Sequence, residues 1–208
     1  MTSIALFGAG GKMGCRLAKN LKGSRYDVRH VEVSDAGKAR LQNELGISTV
    51  NVDTALDGAD VVILAVPYGA ATGLAEVADF AGKVVIDVTN PVKADFSGLE
   101  LGHASSAAEE IARALPGAKV VKAFNTVFAQ VYDQGLSFGA TPVQTFVAAD
   151  DADAKAAVIA LATDAGFDAR DAGPLSNARH IEPLAYLNIQ FGYMLGQGTQ
   201  IAPVWLSR

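Results

Sequence analysis

Ile4-Ala5-Leu6-Phe7-Gly8-Ala9-Gly10-Gly11-Lys12-Met13-Gly14 runs from a short apolar stretch into a glycine-rich turn and then into a helix-forming segment, Met13 to Leu21. Gly8 permits the tight turn, and Gly10 and Gly11 let backbone amides approach a bound group with no Cβ in the way. A helix that begins here presents amides without intrahelical partners and the positive end of its dipole, which together attract an anion. Gly14, one turn in, allows helix and sheet to pack closely. A strand, a glycine turn and a helix in this order form the pyrophosphate-binding unit of a dinucleotide fold. The spacing is irregular: Gly8 and Gly10 put the third glycine of the common pattern at Met13, whereas Gly8, Gly11 and Gly14 make a three-residue repeat.

Working outward, the first two thirds of the 208 residues alternate short apolar runs with helical segments, which builds a parallel sheet covered on both faces. Strands are expected at Ile4–Phe7, Val28–Val33, Thr49–Val52, Val61–Val66, Val84–Val88 and Val120–Phe124. Helices are expected at Met13–Leu21, Lys38–Leu45, Ala71–Phe80 and Ala107–Leu115. Ser106 and Glu109 fit a capping box for the last of these, and Pro116-Gly117 stops it. Beyond Phe124 the rhythm changes to a strand at Thr145–Ala149, a helix at Ala152–Ala165, a strand at Phe167–Asp171 and a long terminal helical region. The fold expected is α/β: a doubly wound Rossmann sheet over residues 1–124 with a small carboxyl-terminal α/β extension over 125–208. Gly192 and Gly196, four apart in the terminal region, suit either internal packing or a contact between two copies.

Half of the residues are hydrophobic and 19% are charged, enough for one good core. A net charge of -5 with no basic block argues against a nucleic-acid partner, because neutralising phosphates needs clustered Lys and Arg. Apolar runs such as Val61–Val66 are too short to cross a bilayer, and the amino terminus lacks a basic region followed by a long apolar stretch, so no membrane segment or leader is expected. The single cysteine, Cys15, cannot form an internal disulfide, which suits the cytoplasm. Near a helix start its thiol is open either to activation or to burial as an inert group.

In such sheets ligands meet the carboxyl ends of the strands. Gly8, Gly10, Gly11, Lys12 and Met13 are expected at the pyrophosphate. Glu32 lies about twenty residues beyond the loop, where a carboxylate accepts hydrogen bonds from the adenosine ribose. Glu32 and Asp35 repel a 2′-phosphate and point to NAD, while Ser34, Lys38 and Arg40 suit the phosphate of NADP. Ala65, Val66 and Pro67 after one strand, and Thr89, Asn90 and Pro91 after the next, are expected on the nicotinamide side together with Asn125 and Thr126. These are neutral donors and acceptors suited to a carboxamide or a polar substrate, and the asparagines equally suit turns. None is a strong acid or base. The catalytic candidates are Asn125, Lys122 and His180, although residues three apart on a strand point to opposite faces, which separates Lys122 from Asn125. His30, His103 and His180 share no metal-ligand spacing with other donors, so no metal site is expected.

Asp87-Val88-Thr89-Asn90-Pro91, the Val121–Thr126 segment, Ala172–Arg179, Ile181-Glu182-Pro183 and Leu187-Asn188-Ile189 together resemble the deazaflavin-dependent NADP oxidoreductase family. The resemblance runs from about Val61 to the carboxyl terminus. It implies a Rossmann domain with residues 125–208 closing over the cleft, a homodimer, and hydride passed between nicotinamide and coenzyme F420. The first sixty residues are expected to depart from the family. Their Gly-Gly-Lys-Met-Gly turn resembles that of sugar-acid dehydrogenases, Ser34 matches the family serine, and Asp35 stands where an arginine would meet the 2′-phosphate. Three functions follow. Hydride transfer between NAD(P) and a second redox partner such as the deazaflavin needs proximity and ring alignment but no catalytic side chain. A dehydrogenase or reductase of a small hydroxy or keto compound needs a proton relay, for which Lys122, Asn125 and His180 are the candidates. The third is a noncatalytic NAD(P)-binding redox sensor.

Overall fold

Alternation along β1 (Ser3–Phe7) sends Ile4 and Leu6 to one face and Ala5 and Phe7 to the other, and all four are buried, so both faces of the strand must be covered. The computed structural model describes residues 1–207 and builds the remaining elements around this strand. After β1 come α1 (Lys12–Leu21), β2 (Asp27–Val31), α2 (Asp35–Leu45), α3 (Val52–Leu56), β3 (Val61–Leu64), α4 (Tyr68–Thr72), β4 (Val84–Asp87), α5 (Ala107–Ala114) and β5 (Lys119–Lys122). The rest of the chain forms α6 (Val131–Gln134), a two-stranded ribbon of β6 (Ser137–Phe138) and β7 (Thr141–Pro142), then β8 (Gln144–Ala149), α7 (Ala152–Asp164), β9 (Asp168–Asp171) and α8 (Ala178–Ile189).

The main sheet has seven strands in the order β2-β1-β3-β4-β5-β8-β9. Strands β1 to β5 are parallel, β8 joins β5 antiparallel, and β9 returns parallel to β8. Beyond β5 the described chain, to residue 207, therefore extends the same sheet. On one face Ile4, Leu6, Ile63 and Ile86 pack with Leu17 and Leu21 of α1; on the other Ala5, Phe7, Val62 and Leu64 pack with Ile111 of α5. This is the α/β Rossmann architecture expected, and the carboxyl ends of β1, β3, β4 and β5 open on one edge. No described helix is long and apolar enough to cross a membrane.

Two expected elements are corrected. The strand at Thr49–Val52 is reduced to one sheet-like bond, from the Val50 amide to the His30 carbonyl, because Asn51 caps α3 by accepting from the Thr54 amide at 2.8 Å. The helix at Ala71–Phe80 instead starts at Tyr68, directly after Pro67, and tightens into a 3-10 turn over Gly73–Glu76. Gly192 packs internally: a Cβ there would lie 2.6 Å from the Phe128 ring. Gly196 lies beyond the helical turns with nothing near it, so the two glycines do not form one small-residue face.

Half of the capping box is present. Ser106 accepts from the Glu109 amide at 3.2 Å, but the Glu109 carboxylate takes the Ser106 hydroxyl at 2.8 Å and both arms of Arg179 on α8. Arg179 holds the Glu109 carboxyl below the usual range, against a smaller opposing effect of burial. A depressed carboxyl pKa contributes stability above the unfolded pKa and loses it as pH falls through the folded one. Glu109→Gln should therefore cost about 0.5–1 kcal/mol at neutral pH, allowing for the partly exposed arginine, and the deficit should vanish as pH drops below about 4. Urea midpoints of both proteins across pH measure it; a deficit that is constant with pH would contradict the assignment.

Candidate functional site

Three glycines of the first turn are fixed by what stands beside them. Gly8 has φ +70°, and a Cβ on it would lie 2.4 Å from the Ala65 carbonyl oxygen at the exit of β3. On Gly10 a Cβ would sit 2.4 Å from the Gly37 Cα, and on Gly14 it would sit 2.0 Å from the Gly8 carbonyl oxygen. The turn thus wedges the start of α1 between β1, β3 and α2. Gly10 donates to Glu32 Oε2 at 2.9 Å and Gly11 to the Gly8 carbonyl at 2.9 Å, so their own amides are engaged within the turn. Gly11 is the N-cap of α1, and no side chain caps that helix. The open amides belong to the first turn, which begins with Lys12 and Met13.

Two cavities flank this helix start. The first, of about 540 Å³, is lined by Gly8, Gly10, Gly11, Glu32, Ser34 and Arg40 on one side and by Ala65, Val66 and Pro67 on the other. The Glu32 carboxylate folds back into the turn, where Oε1 accepts from the Ser34 amide at 2.9 Å and the Ser34 hydroxyl at 2.8 Å. Gly37 makes this fit, since a Cβ there would lie 2.5 Å from the Glu32 carboxyl carbon. Burial pushes the Glu32 pKa up, but the hydrogen bonds from Ser34 and Gly10 outweigh it and the net direction is down, so the group is ionised at neutral pH. Arg40 is bound to the Gly10 carbonyl, and Lys38 lies 3.7 Å from Asp35.

The second cavity, of about 260 Å³, is lined by Lys12 and Met13 from α1, Asn90 after β4, Asn125 and Thr126 after β5, and Ala185, Asn188 and Tyr193 from the terminal helical region. Asn90 and Asn125 bind reciprocally: Asn125 Nδ2 donates to Asn90 Oδ1 and Asn90 Nδ2 to the Asn125 carbonyl, both at 2.9 Å. Asn188 donates to the Thr126 carbonyl at 3.1 Å. Asn125 Oδ1 and Thr126 Oγ1 are buried without a partner. The turn that presents them is strained. Phe124 has φ +62°, held by the Thr145 hydroxyl on its amide at 2.9 Å and by edge-on packing of its buried ring on Phe167. Thr89 and Pro91, expected at the cofactor, are buried and line neither cavity.

Of the catalytic candidates, only Asn125 lines this cavity. Lys122 is fully buried, with Nζ 2.8 Å from Asp87 Oδ2 and 2.8 Å from Glu182 Oε1, and it donates to the Thr89 carbonyl at 2.5 Å. Glu182 also accepts the Ala107 and Ala108 amides at the start of α5, at 2.9 and 3.2 Å. Burial raises its pKa, with Lys122 opposing. His180 is exposed in an apolar groove with Phe146, Leu187 and Trp205, and lines neither cavity. The thiol of Cys15 is pushed up by burial and then by Glu44, which leaves it inert at neutral pH. Nothing in local pattern marks Phe124 or Gly37. Asp87 did carry a signal, as the charge closing the otherwise apolar run Val84–Asp87, and Lys122 followed the apolar pair Val120-Val121.

The model of the family described as NADP oxidoreductase, coenzyme F420-dependent, matches residues 3–91. A semialdehyde dehydrogenase NAD-binding protein from Cupriavidus necator, solved with calcium and NAD, is 32% identical over 88% of this chain and 67% of its own, with a TM-score of 0.61. A candidate F420-dependent NADP reductase from Arthrobacter sp. FB24 is 26% identical over the whole of both chains, with a TM-score of 0.84.

The chain belongs to this family.

The family model covers the first sixty residues as well, within its match over residues 3–91, with their irregular glycine spacing and Asp35 in place. The packing roles of Gly8, Gly10 and Gly14 are kept in spite of the irregular spacing. A D-apionate oxidoisomerase from Rhizobium rhizogenes is 82% identical over 67 residues, which are 32% of this chain and 24% of that protein. The matched stretch is thus about a quarter of that curated relative's length. Gly14→Ala should lower stability by about 1–3 kcal/mol, since a Cβ would collide with backbone that cannot give way. Gly69→Ala, on α4 with open space around it, should be neutral or stabilising by up to about 1 kcal/mol. Denaturant midpoints compare them, and equal effects would contradict the close approach.

Proposed function

We propose that the chain binds a nicotinamide dinucleotide across the start of α1 and passes hydride between it and a second bound partner. The observation that carries this is the arrangement of the two cavities on either side of an uncapped helix start, Gly11 lining one and Lys12 and Met13 the other. A single extended molecule then spans both, with its pyrophosphate at the first amides of α1 and beside the Lys12 ammonium. The adenosine lies against Glu32, and the nicotinamide against Asn90 and Asn125. When bound, the nicotinamide supplies the hydride chemistry. Asn125 Oδ1 and Thr126 Oγ1 gain partners in its carboxamide or in the second substrate.

Glu32 favours NAD over NADP. Its ionised carboxylate accepts from ribose hydroxyls and repels a 2′-phosphate, while the nearby cations Arg40 and Lys38 are engaged by the Gly10 carbonyl and Asp35. The second partner is read from what the smaller cavity lacks. Its titratable lining residues are Lys12 and Tyr193; no carboxylic acid or imidazole faces it among the described residues. A planar deazaflavin of the coenzyme F420 class suits such a site, because transfer between stacked rings depends on alignment and not on a proton relay. The family model supports the same partner. A small hydroxy or keto compound, suggested by the likeness to the D-apionate oxidoisomerase, needs a proton carrier; Lys122 and His180 lie away from the cavity, and Lys12 and Tyr193 would have to serve.

Mixing the protein with oxidised deazaflavin and reduced nucleotide tests this. NADH should bleach the deazaflavin, NADPH should do so about tenfold less well, and Glu32→Gln should erase most of that difference. Unchanged deazaflavin absorbance with both nucleotides would exclude this partner, and a preference unmoved by Glu32→Gln would overturn the ribose assignment.

A further inference from the structure

We propose that the buried Asp87–Lys122–Glu182 cluster is a positioning device that fixes both walls of the smaller cavity, a role that rests on the dinucleotide reading above. One wall is the turn after β4. Asp87 Oδ1 accepts the Thr89 amide at 2.7 Å and Lys122 Nζ donates to the Thr89 carbonyl at 2.5 Å, so the peptide groups on both sides of Thr89 are held. The next residue is Asn90, whose side chain enters the cavity already locked to Asn125. The other wall is α8. Glu182 meets the same ammonium at 2.8 Å, and Ala185 and Asn188, on the same buried face of that helix, line the cavity opposite Asn90. One cation therefore ties the turn that carries Asn90 to the helix that carries Asn188.

Stability alone is a poor reason for this arrangement. Burying an ion pair costs about as much as its attraction returns, and apolar side chains of similar volume often hold a core as well or better. The cluster contains two carboxylates for one ammonium, and the excess negative charge is met by the Ala107 and Ala108 amides at the start of α5. An apolar replacement would keep the packing but would leave the Thr89 peptide groups unheld and sever the link to α8. The cluster lines neither cavity, so it acts through Asn90 and Asn188 and not on a ligand directly.

The test compares ADP-ribose, which lacks only the nicotinamide ring, with NADH, which carries it into the smaller cavity. Titrations follow affinity, and the fluorescence of the bound dihydronicotinamide reports immobilisation of its ring. The variants are Lys122→Met and the gentler Glu182→Gln, which removes the excess charge while preserving shape. Wild type should bind NADH more tightly than ADP-ribose and enhance its fluorescence. Both variants should keep ADP-ribose affinity within about threefold, yet lose about tenfold of the NADH advantage, the equivalent of one or two hydrogen bonds, along with the fluorescence gain. Variants that retain the full NADH advantage would overturn the positioning role and leave the dinucleotide reading intact. Loss of ADP-ribose binding in both would overturn it as well, by making the cluster a prop for the whole fold. A wild type that binds neither nucleotide would overturn both readings.

Discussion

The approach of α1 to the turn before it leaves room for no Cβ at Gly14, which would lie 2.0 Å from the Gly8 carbonyl oxygen. The other distances of the site follow from this contact. It seats the helix start directly over the end of β1, and Gly8, at φ +70°, turns the chain against the exit of β3. Gly10 and Gly37 then bring the loop and α2 together backbone to backbone. With side chains excluded on three sides, the helix start stands open between two cavities, and its dipole and free amides become the site's main electrostatic feature. A chain with a net charge of -5 can thereby attract a polyanionic cofactor through local geometry.

The polar groups divide between holding and contacting. Glu32 does both: it braces the turn through Gly10 and Ser34 and lines the larger of the two cavities. Lys122 only holds. It is one of three catalytic candidates by residue type, yet it lies fully buried between two carboxylates, and the smaller cavity is faced by amides, hydroxyls and Lys12. Such a site suits chemistry in which alignment is the main requirement.

Much of this was legible in the sequence where the physics is local. The apolar strands, the glycine turn, the helix it opens and the position of Glu32 all follow from residues close together in the chain. The strand expected at Thr49–Val52 was missed because the Asn51 cap outcompetes β-branched propensity. That the Gly10 amide is taken up by Glu32 was not legible, because the carboxylate folds onto it from 22 residues away. The Asp87–Lys122–Glu182 cluster joins β4, β5 and α8, so only tertiary packing shows that three charges share one buried position. Lys122 and Asn125 are separated because β5 ends at Lys122 and the chain turns at Phe124 before Asn125, so strand alternation does not relate them. The strained turn at Phe124, set by the Thr145 hydroxyl and the Phe167 ring, has no counterpart in local pattern.

A crystal structure of the NADH complex is the most direct measurement. Pyrophosphate oxygens are expected on the amides of the first turn of α1, the adenosine ribose on Glu32 and the nicotinamide ring beside Asn90 and Asn125. A nucleotide bound in the apolar groove between β9 and α8, or one whose pyrophosphate lies away from the start of α1, would contradict this placement.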